Sequence, residues 1–315
     1  MGIAAAAALD AWAIAHAAAR AIGTFDDGVA GRFALASGEL RQVGDEDPGA
    51  VLRWNPTLGW ESLAAQGPDS DLLELYLPIA SATAARPITI GHLGQSLDGF
   101  IATHSGDAVC VTGPQNILHL HRLRALCDAV VVGAGTVVAD NPRLTTRLVS
   151  GSNPVRVVVD PACRVPVDHT VFNDRAAPTL RACAAGSDGS TQARARGEQT
   201  LEVAASDGTL DLRDLVRQLR ALGFSRIFVE GGGVTVSSFL SAGLLDRLHI
   251  AVAPLLIGAG RPAIRLPPRV RLQDCLRLQH RVYRAGMDIL FDCDLRAAAA
   301  GHACEDPSRD FRRVL

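Results

Sequence analysis

Short apolar runs alternate with helix-like segments over most of the chain beyond residue 86. Residues 129–133 form a continuous apolar run, and 88–93 and 226–230 are similar, as is typical of strands buried on both faces of a sheet. Helical spacing of apolar positions predicts helices in between, at 114–127, 210–222 and 234–242. Further strands are predicted at 155–160, 171–172, 179–184 and 248–257, a surface loop at 186–197, and a terminal hairpin from 275–283 and 286–293. Strands that alternate with helices indicate an α/β domain with a mostly parallel central sheet between two helical layers.

The first 86 residues have a different pattern and form a separate extension. An alanine-rich segment at 3–21 predicts one helix, and 69–77 predicts a second helix that ends at Pro78. We therefore expect a small, mainly helical N-terminal extension at 1–86, whose role the sequence does not indicate. Residues 87–295 form the α/β domain, and 296–315 form a loose tail with little core character.

The composition excludes several kinds of ligand and site but says little about the fold. Lysine is absent, so all 31 basic residues are arginine, and any phosphate must be held by arginine or by backbone N–H groups. The net charge of −2 and the aromatic content of 4% argue against a nucleic-acid partner. The seven cysteines contain no C-x-x-C pair, so we predict no zinc or other metal site and a reducing, cytoplasmic location. No apolar run is long enough to span a membrane.

Three glycine-containing turns follow predicted strands, at 133–136, 231–233 and 258–260. Glycine lets the backbone approach a ligand closely, and a following helix offers free N–H groups to a phosphate. None of the turns matches G-x-G-x-x-G in a full βαβ unit, so the standard dinucleotide fingerprint is not supported. A single glycine turn is more often plain turn chemistry, but three at strand ends of one sheet favour a ligand site.

Several segments in order along the chain resemble the pyrimidine reductase domain of riboflavin biosynthesis, the RibD C-terminal type. They are residues 96–102, 112–114, 121–124, 128–147, Val-Glu-Gly-Gly-Gly at 229–233, and 244–254. The block at 128–147 is the most specific, and the resemblance covers 87–295. It implies a dihydrofolate-reductase-like fold, a homodimer with the strand at 248–257 as a candidate interface, and NADPH as the cofactor. The implied reaction is hydride transfer to ribose C1 of a ribosylaminopyrimidine 5-phosphate in its ring-opened imine form.

The resemblance also assigns roles residue by residue. Glu230, which matches a family substrate contact, and His92, which stands at a family lysine position, are the candidate catalytic residues, and we expect Asp98 to shape the turn after the first strand. The implied substrate contacts are Arg124, Leu144, Arg147, Glu230 and Ala108, with the two arginines as a clamp for a substrate phosphate. The implied cofactor contacts are Gly94, Cys110, Thr136, Asp140, Gly231, Gly232, Gly233, Val234 and Thr235.

For several of these residues a purely structural role remains an open alternative. Arg124 and Arg147 are alternatively surface cations, and Asp140 is alternatively the cap of a turn or helix. His119 and His121 lie two positions apart on one predicted helix, so they face different ways and make a poor metal pair.

Three positions depart from the family pattern. His92 stands where the family has lysine, Ala108 where it has serine or a similar polar residue, and Cys110 where it has tryptophan. His92 is a candidate proton donor that titrates near neutrality. The departures leave two alternatives open beside the leading hypothesis, namely a reductase of another heterocycle or imine, such as a pterin, and a nucleotide-binding protein that has lost turnover. In bifunctional members a zinc deaminase precedes the reductase, and residues 1–86 contain neither its H-x-E nor its P-C-x-x-C motif.

Overall fold

The computed structural model describes residues 10–63, 68–109 and 111–296. The chain divides into two compact units, residues 1–87 and 88–315. Among the helices that the structure describes, none combines the length and apolarity that a membrane span requires. The predicted tail from 297 onwards lies outside the described residues.

The first unit combines two helices with a small antiparallel sheet. Its helices are α1 (Ala11–Ala21) and α2 (Pro68–Ala80), and its strands are β1 (Gly31–Ala36), β2 (Glu39–Val43), β3 (Leu52–Asn55) and β4 (Gly59–Ser62), in the order β2-β1-β3-β4. Asp10 caps α1 by accepting a hydrogen bond from the Trp12 N–H at 3.0 Å. The rings of Phe33, Trp54 and Trp60 pack edge to face, with centroids 4.9–5.0 Å apart. This aromatic cluster forms the core of the unit.

Two expectations for this unit need correction. A mainly helical extension was expected, but the unit also contains a four-stranded sheet. Its strands were missed because each is only four to six residues long, and β2 is mostly exposed. The second helix does not end at Pro78, which lies inside α2. Proline removes one backbone donor, and α2 nevertheless continues for two further residues to Ala80.

A nine-stranded sheet organises the second unit, in the order β10-β9-β8-β7-β13-β5-β14-β17-β16. Every neighbouring pair from β10 to β14 is parallel, and β17 is antiparallel to both of its neighbours. Its strands are β5 (Ile88–Ser96), β7 (Ala129–Gly133), β8 (Val155–Val159), β9 (Thr179–Ala184), β10 (Thr200–Val203), β13 (Arg226–Glu230), β14 (Arg247–Ala253), β16 (Gln279–Ala285) and β17 (Asp288–Asp294).

Helices cover this sheet, and short elements complete the unit. The helices are α3 (Pro114–Leu126), α4 (Ala134–Asp140), α5 (Thr170–Asn173), α6 (Asp188–Ala195), α7 (Leu212–Ala221) and α8 (Gly233–Ser241), with a 3-10 turn at Leu272–Asp274. Two small ladders pair β6 (Phe100–Thr103) with β15 (Gly260–Pro262), and β11 (Ala205–Ser206) with β12 (Thr209–Leu210).

The sheet is buried on both faces, as the continuous apolar runs predict. Val131 and Val229 pack in one core cluster that includes residues of α7 and α8. Val130 and Phe228, the alternate positions on the same strands, are also fully buried. Alternate side chains of a strand point to opposite faces, so the sheet lies between two covering layers. The predicted three-layer α/β architecture is confirmed.

Three local predictions in this unit are wrong. Residues 171–172 lie in α5 rather than in a strand, because the run of two apolar residues was too short to distinguish the two. Much of the predicted surface loop at 186–197 is α6, which Ser187 caps by accepting from the Ser190 N–H at 3.1 Å. The long strand predicted at 248–257 ends at Ala253. Because this strand pairs with β5 on one side and β17 on the other, neither of its edges is open to a second copy.

Candidate active site

A cleft of about 1250 Å³ lies in the second unit, at the ends of several sheet strands. The loops after β7 and β13 both open into it, because these two parallel strands are neighbours and their carboxyl ends meet at the same sheet edge. The sequence segments at 133–140 and 230–235 therefore share one cleft. Predicted site residues that line it are His92, Gly94, Ala108, Thr136, Asp140, Glu230, Gly231, Gly232, Gly233, Val234 and Thr235.

The two glycine turns interlock through two threonine side chains. A Cβ at Gly232 would lie 2.6 Å from Thr136 Oγ1, and a Cβ at Gly133 would collide with Thr235 Oγ1. Gly231 and Gly232 also adopt φ of +71° and +53°, the left-handed region that favours glycine. Each turn thus needs glycine for conformation or for close packing against the other. As a result, the start of α8 faces the cleft, and no side chain caps it.

The third glycine turn, at 258–260, has a different role. It does not follow the strand directly, and its glycines are not among the described residues that line the cleft. The Asp98 carboxylate holds this loop by accepting from the Gly258 N–H at 2.7 Å, and it also accepts from the Ser96 hydroxyl at 2.5 Å. The hydrogen bond from Ser96 is the largest cause that lowers the pKa of Asp98. The contacts fit the expected turn-shaping role of Asp98 and extend it to a second loop.

Glu230 enters the cleft as half of a buried ion pair. Its side chain ends β13, and Arg124 of α3 binds both carboxylate oxygens, with Nε 2.8 Å from Oε2 and Nη2 in contact with Oε1. Arg124 Nη1 also donates to the Thr145 carbonyl at 3.2 Å. Burial alone would lower the pKa of Arg124, but pairing with Glu230 raises it overall. The guanidinium is thus engaged within the protein, and Arg124 is not among the described residues that line the cleft.

Leu144 and Arg147 lie close to this pair but, within the described part of the chain, not on the cleft wall. Leu144 is buried, with φ of +54°, a strained conformation for a non-glycine residue. The Arg147 backbone N–H donates to His121 Nδ1 at 2.9 Å, and its Nη1 donates to Thr145 Oγ1 at 2.7 Å. Burial is the largest cause that lowers the pKa of Arg147, followed by the nearby charge of Arg124.

Comparison with known proteins decides the family. Residues 87–286 match the model of the RibD C-terminal domain. A 2,5-diamino-6-ribosylamino-4(3H)-pyrimidinone 5′-phosphate reductase of Methanothermobacter thermautotrophicus is 36% identical over 214 residues, which cover 66% of this chain and 97% of that protein. The chain belongs to the RibD C-terminal domain family. A riboflavin biosynthesis protein RibD of Aquifex aeolicus is 33% identical over 179 residues, and the match spans 49% of that longer protein.

Solved structures agree on the RibD reductase fold. Acinetobacter baumannii RibD superposes with a TM-score of 0.58 at 24% identity, covering 72% of this chain and 62% of that one. The riboflavin biosynthesis reductase Rib7 of Saccharomyces cerevisiae gives a TM-score of 0.54 at 20% identity, covering 66% and 89%. These likenesses confirm the predicted dihydrofolate-reductase-like fold.

His92, which stands where RibD relatives are expected to carry lysine, belongs to a buried row of histidines. Its Nε2 lies 2.9 Å from Asn116 Oδ1, and its ring is 5.5 Å from that of His119. His119 Nε2 lies 3.0 Å from His249 Nδ1, and His249 Nε2 lies 3.2 Å from Asp292 Oδ1. Burial, followed by the charge of His249, lowers the pKa of His92 to about 4. His92 is therefore neutral at physiological pH, and the expectation that it titrates near neutrality is wrong for this structure.

Helix α3 carries His119 and a second histidine, His121, and the two have separate partners. His119 faces the buried row, and its pKa is lowered well below the usual value by burial and by His249. His121 faces Arg147, and burial lowers its pKa to about 4. The prediction that the two point in different directions is confirmed. Within the described ranges, no group of three or more histidine, cysteine or acidic side chains is arranged to hold a metal ion.

The other two departures from the RibD pattern are Ala108 and Cys110. Ala108 lines the cleft, and its methyl group offers no hydrogen bond at that point. Cys110 lies outside the described residues.

The cleft residues that the sequence interpretation missed include Asn116, Arg261, Arg265 and Asp288. Asp288, at the start of β17, accepts from the Gly113 N–H at 2.7 Å and so fixes the start of α3. The two residues are 175 positions apart, so no local pattern reveals the contact. Arg261 alone carried a signal, as a cation directly after a glycine turn.

Proposed function

We propose that this chain is an NADPH-dependent reductase that acts on a ribosylaminopyrimidine 5′-phosphate. The observation that carries the proposal is the single cleft in which two glycine turns meet the carboxylate of Glu230. The archaeal relative that matches over 97% of its own length is named as a reductase of such a phosphate. The RibD C-terminal family makes the chain an oxidoreductase of the riboflavin-biosynthesis type. A small phosphorylated molecule is thus the expected substrate class.

The cleft fits a nicotinamide dinucleotide. Gly231 and Gly232 leave the backbone at the start of α8 uncovered, so a phosphate can approach its N–H groups. The family roles of Gly94, Thr136, Asp140, Gly233, Val234 and Thr235 as cofactor contacts are consistent with their places on the cleft wall. A bound NADPH supplies the hydride. The protein's part is to orient both ligands and to exclude water.

On the substrate side, the structure divides the roles of the two arginines. Because Arg124 is bound to both oxygens of Glu230, we assign it the positioning of that carboxylate toward the N–H groups of the pyrimidine. Among the described residues, no carboxylate is paired with Arg147, so this guanidinium is the better candidate for the substrate phosphate. Leu144 and Ala108 would shape the remaining pocket.

The proton that accompanies hydride transfer needs a donor other than His92. A neutral His92 imidazole is a weak acid at physiological pH, although its hydrogen bond to Asn116 places it at the cleft. We therefore propose that His92 positions Asn116 and that an ordered water or the substrate phosphate delivers the proton.

Purified protein should oxidise NADPH when it is given a ribosylaminopyrimidine 5′-phosphate. Both the diaminopyrimidinone and the aminouracil forms should be tested, with absorbance of the reduced nicotinamide as one readout. The product should be heavier by two hydrogen atoms in mass spectrometry. The dephosphorylated substrate is the control, because it lacks the group assigned to Arg147.

One observation favours a second candidate, a reductase of another heterocycle or imine. Ala108 lines the cleft at a position where the family pattern has serine or a similar polar residue. The cleft wall therefore lacks a polar group there, which is consistent with a different substrate. Turnover of a pterin but of neither pyrimidine would select this candidate. Tight NADPH binding without turnover of any of them would instead indicate a nucleotide-binding protein. A homodimer and a cytoplasmic location remain predictions.

A further inference from the structure

The cleft has a sparse set of cationic side chains for ligands that carry several phosphate charges. Among its described lining residues, the arginines are Arg261 and Arg265, and the acids are Asp140, Glu230 and Asp288. Lysine is absent from the chain, and His92 is neutral at physiological pH. Arg124 is already committed to Glu230. Cofactor phosphates that lie against the described walls of this cleft can therefore be met by Arg261, by Arg265 or by backbone N–H groups.

The Arg261 side chain passes over a glycine turn at the cleft. It lies in β15, which pairs with β6, and a Cβ at Gly106 would lie only 2.6 Å from Arg261 Nη2. Gly106 has φ of +99°, so the turn leaves room for the guanidinium where another residue would displace it. Burial raises the pKa of Asp140, and the nearby positive charge of Arg261 partly offsets that rise. Arg261 thus lies near the end of α4, on the side assigned to the cofactor.

The segment that carries both arginines is fastened to the start of α8. A Cβ at Gly233 would collide with the Ala263 carbonyl oxygen, and the Arg265 N–H donates to Ser237 Oγ at 2.8 Å. The Ala263 N–H donates to the Gly99 carbonyl at 2.9 Å. These contacts fix the backbone on both sides of Ala263. The two guanidinium groups, both on exposed residues, therefore extend from a fixed backbone beside the Gly231–Gly233 turn.

We propose that Arg261 and Arg265 bind phosphate groups of the nicotinamide dinucleotide. Guanidinium groups bind phosphate oxygens in a bidentate manner, and within the described part of the chain neither side chain has a hydrogen-bond acceptor or an ion-pair partner. Their position beside α8 favours the cofactor over the substrate, which is assigned to Glu230 and Arg147. The inference rests on the proposed function, and it adds two residues to the cofactor site. The phosphate is either the 2′-phosphate of NADPH or the pyrophosphate that NADPH shares with NADH.

The inference is tested by measuring the binding of NADPH and of NADH to the full chain, with the fluorescence of the reduced nicotinamide as the readout. Arg261→Ala and Arg265→Ala should each raise the Kd of NADPH about 10- to 100-fold, the range for a lost hydrogen-bonded charge contact. Arg261→Lys should recover part of the affinity, because it restores the charge without the bidentate geometry. Arg269→Ala, on an exposed residue of the same loop that is not among the cleft residues, is the matched control and should leave both Kd values unchanged.

The pattern of losses identifies the phosphate. Weaker binding of NADPH alone assigns the arginines to the 2′-phosphate, and equal weakening of both cofactors assigns them to the pyrophosphate. If the wild type turns over substrate and both alanine variants keep their Kd values, or lose affinity only for the pyrimidine phosphate, the inference is overturned while the proposed function stands. If the wild type binds neither cofactor, both are overturned. Thermal melting of each variant separates these results from a loss of folding.

Discussion

Replacing Arg124 by methionine tests whether the Arg124–Glu230 pair is a structural unit of the active site. The change keeps most of the apolar volume but removes the partner of a carboxylate that is 8% exposed. A buried charge left without its partner costs about 3–5 kcal/mol. The hydrogen bond to the Thr145 carbonyl is lost as well, for about 1 kcal/mol more. We therefore expect Arg124→Met to destabilise the second unit strongly.

The matched experiment removes both charges. Replacing a buried ion pair by apolar residues of similar size is often neutral in stability or even stabilising. The double variant Arg124→Met/Glu230→Met should therefore be more stable than either single variant. It should still be inactive, because Glu230 lines the cleft and its carboxylate is the proposed substrate ligand. Stability and activity would then separate in one series of proteins.

Urea unfolding should be followed by far-ultraviolet circular dichroism rather than by tryptophan fluorescence. All three tryptophans lie in the first unit, whereas the ion pair lies in the second. With a slope of about 2–3 kcal/mol per molar urea, the single variants should unfold about 1–3 M earlier than the wild type. The double-mutant cycle then gives the coupling energy of the pair.

Two results would refute this reasoning. The first is an Arg124→Met midpoint equal to that of the wild type, which would mean that the pair contributes no stability. The second is a double variant whose loss equals the sum of the single losses, because independent residues show no coupling.

Three further predictions concern other parts of the site. Gly233→Ala should lower the free energy of unfolding by about 1–3 kcal/mol, because the added Cβ would meet the Ala263 carbonyl oxygen. Gly135→Ala is the control and should not destabilise the protein, because nothing lies within 4 Å of a Cβ there. Equal melting temperatures of the two variants would contradict the packing at Gly233. His92 has a folded pKa of about 4, below its unfolded value, so about 3 kcal/mol of stability present above pH 6.5 should be lost as pH falls to about 4. His92→Gln should flatten this dependence in urea midpoints measured across that range, and an unchanged slope would argue against it. Arg147→Ala should raise KM for the phosphorylated substrate about 10-fold with kcat little changed, and unchanged kinetics would remove its assignment to the phosphate.

Local pattern predicted several elements whose signals lie in neighbouring residues of the chain. The apolar run at 129–133 predicts a strand buried on both faces, because no polar face is present to meet water. Thr112-Gly113-Pro114 predicts the start of α3, since proline suits the first helical turn. The same pattern did not separate strand from helix at 171–172, where two apolar residues satisfy either period. The small sheet of the first unit was missed for a related reason, because its strands are only four to six residues long.

The sequence by itself determined the α/β class, the family and the positions of the two glycine turns at the cleft. Only the tertiary structure decided which charges meet there. Arg124 and Glu230 are 106 positions apart, and they pair because α3 packs against the end of β13. His92 is neutral because the fold buries it in the sheet and the register sets it opposite His249. The charge state of a side chain depends on its burial and on its spatial neighbours, and the spacing of apolar residues along the sequence does not specify which distant residues those neighbours are.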